Sequence, residues 1–233
     1  ITPVMAKQFF SNRMNQYTRI YYKSYEDNYK KKISTATLKI ELQVLRQFFN
    51  HCIDMEWIES NPFRSIKLPK ETPKQRYYFT DSDIETIMNN AGKFRQFYTL
   101  LLYTGIRSTD AYKLEKKHIQ GRYLCFKMNK TKDILNIPLS DTMISLLKVI
   151  LEYNDSDSTL LFPQLQSNRQ KRNCCKVVQR CFHIEMVRKN NINLHTFRHT
   201  YAHNMLNKGV PKEVLQTLLG HRSIKTTEIY ANW

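Results

Sequence analysis

The sequence contains no apolar run approaching the roughly 20 residues that a membrane span requires. It also shows no basic segment followed by an apolar stretch of the kind that directs secretion. The expectation is a soluble, cytoplasmic protein with no membrane partner. Its five cysteines, Cys52, Cys125, Cys174, Cys175 and Cys181, are odd in number and form no Cys-x-x-Cys pair. That excludes a disulfide framework and a zinc ribbon, and leaves ordinary reduced thiols. Internal repeats are absent, and low complexity is confined to one lysine- and tyrosine-rich stretch. Acidic residues are scarce, 20 Asp and Glu against 37 Lys and Arg, for a net charge of +17 over 233 residues. Such an imbalance points to a polyanionic partner, nucleic acid before an anionic membrane surface.

What is present divides into two halves. From Thr37 onward, Leu38, Leu42, Leu45, Phe49 and Cys52 alternate steps of four and three, which predicts a core-facing helix. Upstream, Thr2 followed by Pro3 has the N-cap and first-turn arrangement of another helix. The stretch YYKSYEDNYKKK, residues 21–32, reads either as a solvated helix end or as phosphate contacts, with rings packed against sugars. Pro62, Pro69 and Pro73 then fall in a short basic span, which predicts an extended, exposed linker within 65–77.

The second half opens with Thr80 three residues before Asp83, a capping-box signature. FRQFYTLLLYTG follows as a helix that ends on Gly105, a left-handed C-cap. RYLCFKM and ILNIPLS flank the polar turn NKTKD and predict a β-hairpin. Further helices are expected at 140–152, 168–189, 197–208 and 211–219.

Chemistry concentrates in LHTFRHTYA, residues 194–202, which holds two histidines and an arginine with no carboxylate beside them. His195, His199 and His203 recur every four residues, a spacing that suits zinc on a helix face. Against zinc stand the fixed charge of Arg198 and the lack of a balancing carboxylate. Histidines satisfied by packing and backbone bonds are a second reading. The third is an oxyanion site, because the planar guanidinium fork matches phosphate oxygens. TGIRSTD adds Arg107 after a glycine turn, three residues before Asp110, which is placed to orient it. LGHRSIKTTEIYANW adds His221 after Gly220, and Tyr230 nine residues later.

These three segments, TGIRSTD, HTFRHTYA and LGHRSIKTTEIY, resemble in order and separation the catalytic domain of the tyrosine recombinases, the phage-integrase-like family. The resemblance spans roughly residues 77–232, and LRQFFNHCIDMEWIESNPFRSIKLPK looks like the family's core-binding domain with its asparagine-proline exit. It implies a mainly α fold with a small antiparallel β-sheet. A helical core-binding domain over 1–70 and a linker over 71–76 would lead into a mixed α+β DNA breaking-rejoining domain over 77–233, the whole clamped on DNA. The start at Ile1 and the stop at Trp233, three residues past Tyr230, fit the core-binding and catalytic parts of a longer recombinase.

Carried over by motif, Tyr230 is the nucleophile, Arg107 and Arg198 bind the scissile phosphate, and His195 and His221 assist. Asp110 and His199 stand behind them. The family's lysine falls on the hairpin turn, where Lys130 is favoured over Lys132. No cofactor and no metal are implied. The partners implied are double-stranded recombination sites, three further copies of the chain in a tetramer on two duplexes, and an accessory directionality factor. The high Lys, Ile, Asn and Tyr content and the trimmed layout point to a mobile element.

The physical logic is independent of the resemblance. Attack by a phenol on a phosphodiester builds negative charge on the non-bridging oxygens, and two arginines bind that charge. The phenol, with an ordinary pKa near 10, must lose its proton, and His195 is the expected base. A lysine on a mobile hairpin would protonate the leaving 5′ oxygen. A covalent intermediate conserves the energy of the broken strand, so a second strand can reseal it without ATP. Two other readings remain open at this point: a type IB topoisomerase, and a DNA-binding regulator of the same fold that does not cut.

Overall fold

The computed structural model describes residues 1–18, 31–69, 76–153, 158–228 and 230. It comprises two compact units, Ile1–Pro73 and Lys74–Trp233, each with its own core. Of the expected linker over 71–76, all but Arg76 lies outside the described residues.

In the first unit, α1 (Pro3–Met14) starts as its sequence dictates, with the Thr2 side chain accepting from Met5 N and Pro3 in the first turn. Strand β1 (Tyr17–Thr18) pairs antiparallel with β2 (Lys31–Lys32). The basic tyrosine stretch lies outside the described residues except at Lys31 and Lys32. Helix α2 (Thr35–Asp54) buries Leu38 and Leu42 against Ala6 and Phe10 of α1, with Leu45 and Phe49 partly buried on the same stripe. The asparagine-proline exit is folded back onto this helix. Asn61 accepts from Phe63 N and donates to Arg46 O, while the Arg46 guanidinium donates to the carbonyls of Phe63, Arg64 and Ile66. A turn whose carbonyls would otherwise face a helix without donors is thereby satisfied.

In the second unit, the Thr80 capping box opens α3 (Asp81–Asn90). A 3₁₀ turn at Gly92–Phe94 leads into α4 (Arg95–Thr104), and α5 (Ser108–Ala111) follows after two residues of turn and Arg107. Strands β3 (Ile119–Gln120), β4 (Tyr123–Lys127) and β5 (Ile134–Pro138) form one antiparallel sheet in that order, with Leu124 opposite Ile137 and Phe126 opposite Leu135 on its buried face. Helices α6 (Asp141–Tyr153), α7 (Asn168–Arg180), α8 (Ile184–Asn190), α9 (His195–Asn207), α10 (Lys212–Leu219) and α11 (Ile224–Glu228) complete it. The single helix expected over 168–189 is two, because the chain leaves α7 to stack Phe182 on Phe79 at 5.7 Å. No helix among the described residues is long and apolar enough to cross a membrane.

The core of this unit sits between α4 and α9. Helix α4 buries Phe97, Tyr98, Leu100 and Leu101, and the Tyr98 ring stacks on Phe197 of α9 at 5.3 Å. Burying each such side chain contributes roughly 2 kcal/mol, and the Tyr98 hydroxyl is satisfied by Cys174 O at 2.6 Å. Phe79 N donates to Thr200 Oγ1, which fixes the entering chain to the same helix. The position of α9 is therefore set by packing, and the motif on it is carried along.

Gly105 closes α4 at φ 62°, and a Cβ there would collide with the Tyr201 ring. Gly105→Ala should lower the urea midpoint of this unit by an amount equivalent to about 3 kcal/mol, from left-handed strain plus overpacking. Gly121, at φ 60° with nothing within 4 Å of an added Cβ, is the control. Its alanine variant should cost about 1 kcal/mol, and equal midpoints for the two variants would refute the contact with Tyr201.

Candidate active site

Arg198, on the second turn of α9, is 1 % exposed. Its Nη1 donates to Gly105 O at 3.0 Å, and its Nη2 to Leu219 O at 2.6 Å and to His221 Nε2 at 2.8 Å. Both carbonyls lie at helix C-termini, those of α4 and α10, and both helices are closed by left-handed glycines, Gly105 and Gly220. Helix ends of this kind leave carbonyls without intrahelical donors and carry partial negative charge. The sequence TG…LG thus supplies two such ends, and one buried cation joins them. Arg198 Nε, also buried, meets no acceptor within hydrogen-bond range. Burial and the charge of Arg107 lower the guanidinium's pKa to about 10, so it remains charged at neutral pH.

Arg107 stands two residues past Gly105, at the start of α5. Its side chain is held loosely, by Met128 Sδ at 3.4 Å and by Asp110 Oδ2 at 3.9 Å. Asp110, 3 % exposed, makes its closer bond elsewhere: Oδ1 accepts from Asn129 N at 2.9 Å. The residue expected to orient Arg107 therefore also ties down the β4–β5 turn. Asn129 adds bonds to Thr109 O and Lys113 Nζ, and from the other side Arg222 grips Asp133 and Thr131 O. The hairpin expected to be mobile is pinned from both sides. Lys130 is exposed at its tip, close enough to His195 to depress that histidine's basicity, while Lys132 takes φ 64° in the turn.

Tyr230, 5 % exposed, packs among Tyr201, Ala202, Leu215 and Leu219. Burial raises its pKa, and the charges of Arg198, Arg76 and Arg107 act in the opposite sense. The imidazole within hydrogen-bond distance of its hydroxyl is that of His199, through Nδ1 at 3.0 Å. His195, expected in that place, begins α9 one turn earlier. Its backbone N–H is held by Asn193 Oδ1, and its ring meets that of His199 edge-on at 4.8 Å. His221 makes hydrogen bonds within the protein through both ring nitrogens. A guanidinium only donates, so Nε2 of His221 accepts from Arg198, and the proton on Nδ1 goes to Thr227 Oγ1 at 2.9 Å. Thr227, fully buried, escaped the sequence reading; its only signal was a threonine three residues before Tyr230. His203 stacks on Tyr78 at 3.5 Å and does not converge with the other two. No group of three metal-binding side chains forms among the described residues.

The model of the phage integrase family matches residues 78–233. A tyrosine recombinase of Thermosipho africanus is 29 % identical over 205 residues, covering 84 % of this chain and 71 % of that protein. Among solved structures, the Tn1549 transposon integrase in complex with circular intermediate DNA superposes with a TM-score of 0.70 at 17 % identity, over 99 % of this chain and 80 % of that one. A lambda integrase tetramer bound to a Holliday junction gives a TM-score of 0.65 at 20 % identity, over 84 % of this chain and 59 % of that one. Both share this chain's fold.

The histidines of the site are neutral. Burial first, then the neighbouring cations, push His221 and His199 down to about 3. His195, which is only partly covered, is pushed to about 4 by that partial burial and by the charges of Arg198, Arg107, Arg76 and Lys130. These values lie below the 6.5 of an unfolded histidine, so the unfolded chain binds more protons between them. The stability linked to these groups is complete above pH 6.5 and is lost as pH falls toward 3. Urea unfolding between pH 6.5 and pH 5, above the carboxylate range, should take up about two protons, and His199→Asn and His221→Asn should each reduce the slope. A stability flat across that window would contradict neutral, buried imidazoles.

Proposed function

The chain belongs to the phage integrase family, and from that premise we propose that it is a site-specific DNA recombinase that cuts and rejoins strands through a 3′-phosphotyrosyl intermediate. Catalysis is assigned to the second unit and DNA gripping to the first, both within a chain of net charge +17. Duplex recombination sites are the substrate. The working assembly is four copies on two duplexes, because exchange between two duplexes requires four strand cuts. The lambda integrase tetramer on a Holliday junction supports that stoichiometry.

The observation that carries the reading is the meeting of three distant motifs around one buried guanidinium, with the Tyr230 hydroxyl beside it. Arg198, fixed by protein acceptors and with Nε uncommitted, would receive a non-bridging oxygen. Arg107, loosely held, would swing its fork onto the same phosphate. Together they bind the charge that grows on the phosphoryl oxygens as Tyr230 attacks, in a site where water competes poorly. The Oη–P bond forms as the P–O5′ bond breaks, and Lys130 gives its proton to the departing 5′ oxygen. Attack by the 5′-hydroxyl of another strand reverses each step and reseals the DNA. His221, accepting from Arg198 and held by Thr227, keeps the guanidinium aimed.

The test is a denaturing gel of the protein incubated, without metal or ATP, with nicked duplexes from the ends of its own element. Wild type should form a covalent adduct. Tyr230→Phe should form none while still shifting DNA on a native gel. An adduct that survives in Tyr230→Phe would overturn the assignment of the nucleophile.

A further inference from the structure

A phenol cannot attack phosphorus efficiently while it keeps its proton, and three imidazoles surround Tyr230. Their bonding separates them. His221 has both ring nitrogens committed, Nε2 to Arg198 and Nδ1–H to Thr227, so it has no lone pair to offer. His195 lies one turn before, more than a third exposed and open to solvent. His199 alone among the three has a ring nitrogen 3.0 Å from Tyr230 Oη, inside the range over which a general base works.

We propose that His199 takes the phenolic proton when Tyr230 attacks, leaving His195 to act at the phosphate side of the cluster. The proposal rests on the reading of Tyr230 as nucleophile. In the step, the Oη–P bond forms, the P–O5′ bond breaks, the phenolic proton passes to His199 Nδ1, and Lys130 supplies the proton for O5′. On resealing, His199 returns the proton to Oη.

The surroundings of His199 set when it can act. Facing it are His195 and Arg198 on its own helix, Arg76 from the segment before α3, and Tyr230 from the end of the chain. In the free protein this cationic setting keeps the imidazole neutral, and the proposed step uses the tautomer whose bare Nδ1 faces the hydroxyl. A phosphodiester bound by Arg107 and Arg198 brings a negative charge into the same space, which favours the imidazolium. The base is therefore strengthened by the substrate whose cleavage it assists, and Tyr230 stays protonated until DNA arrives.

The measurement is the single-turnover rate of adduct formation by the full chain on a nicked duplex, for wild type, His199→Ala, His199→Asn and His195→Ala. His199→Ala should be slowed about 100-fold or more near neutral pH, with DNA affinity unchanged. Its rate should climb about tenfold per pH unit as hydroxide replaces the base, and added imidazole should restore part of it. His195→Ala should show neither response. If the alanine variant fails to fold, His199→Asn bears the same test, since its amide oxygen accepts from the hydroxyl but takes no proton. A wild-type rate in His199→Ala, or rescue by imidazole in His195→Ala instead, would overturn the proposal. Absence of an adduct with wild type itself would reject the nucleophile, and His199's role with it, and is told apart by that control.

Discussion

Burying a guanidinium costs several kcal/mol unless its hydrogens are met, and Arg198 is 1 % exposed. The second unit meets that cost with two helix ends. Gly105 O and Leu219 O receive the two terminal nitrogens, each carbonyl presented by a helix that stops at a left-handed glycine. Once the cation is there, the rest of the site follows by chain continuity. Arg107 lies two residues past one carbonyl and His221 two residues past the other. The hairpin that carries Lys130 is pulled in by Asp110 and Arg222, which flank those same positions. Removing the charge would leave two carbonyl sets facing each other without a donor, so the residue proposed to bind phosphate also holds the fold together.

The two arginines are not equivalent. Arg198 is saturated on one edge and rigid; Arg107 rests on a thioether and a distant carboxylate. In the proposed reaction the rigid donor would set where the phosphate lies, and the looser one would accommodate the change in oxygen positions as phosphorus passes through its five-coordinate state. Neutral histidines complement this arrangement. With positive charge concentrated in the guanidiniums, the imidazoles stay neutral and hold a fixed tautomer where both ring nitrogens are bonded, as in the Arg198–His221–Thr227 chain.

Much of this was legible beforehand, and the exceptions have physical causes. The Thr80 capping box, the stripe through Leu38 and Leu42, the hairpin and the cap at Gly105 are local signals, and each is found where its residues stand. The break between α7 and α8 carries no glycine or proline; it exists because Phe182 packs on Phe79, a contact distant in sequence. Strand β3 is two residues long, too short for alternation to register. The acceptors of Arg198 are backbone carbonyls, which any residue possesses, so the spacing of motifs revealed the arginine but not what holds it. His195 and His199 share one helix face, and which of them meets Tyr230 depends on the path of the chain after His221. That path turns through Thr227, whose hydroxyl holds His221 while its carbonyl receives Tyr230 N.

The most direct test of the account is Arg198→Lys, assayed for adduct formation beside its urea unfolding curve. Lysine keeps the charge and reaches a carbonyl but lacks the fork that spans both helix ends and still offers Nε to phosphate. The account predicts a cooperative unfolding transition with adduct formation reduced by about 100-fold or more. A lysine variant that cleaves within a few-fold of wild type would show that charge alone suffices, and would contradict a role for the shape and bonding of the buried guanidinium.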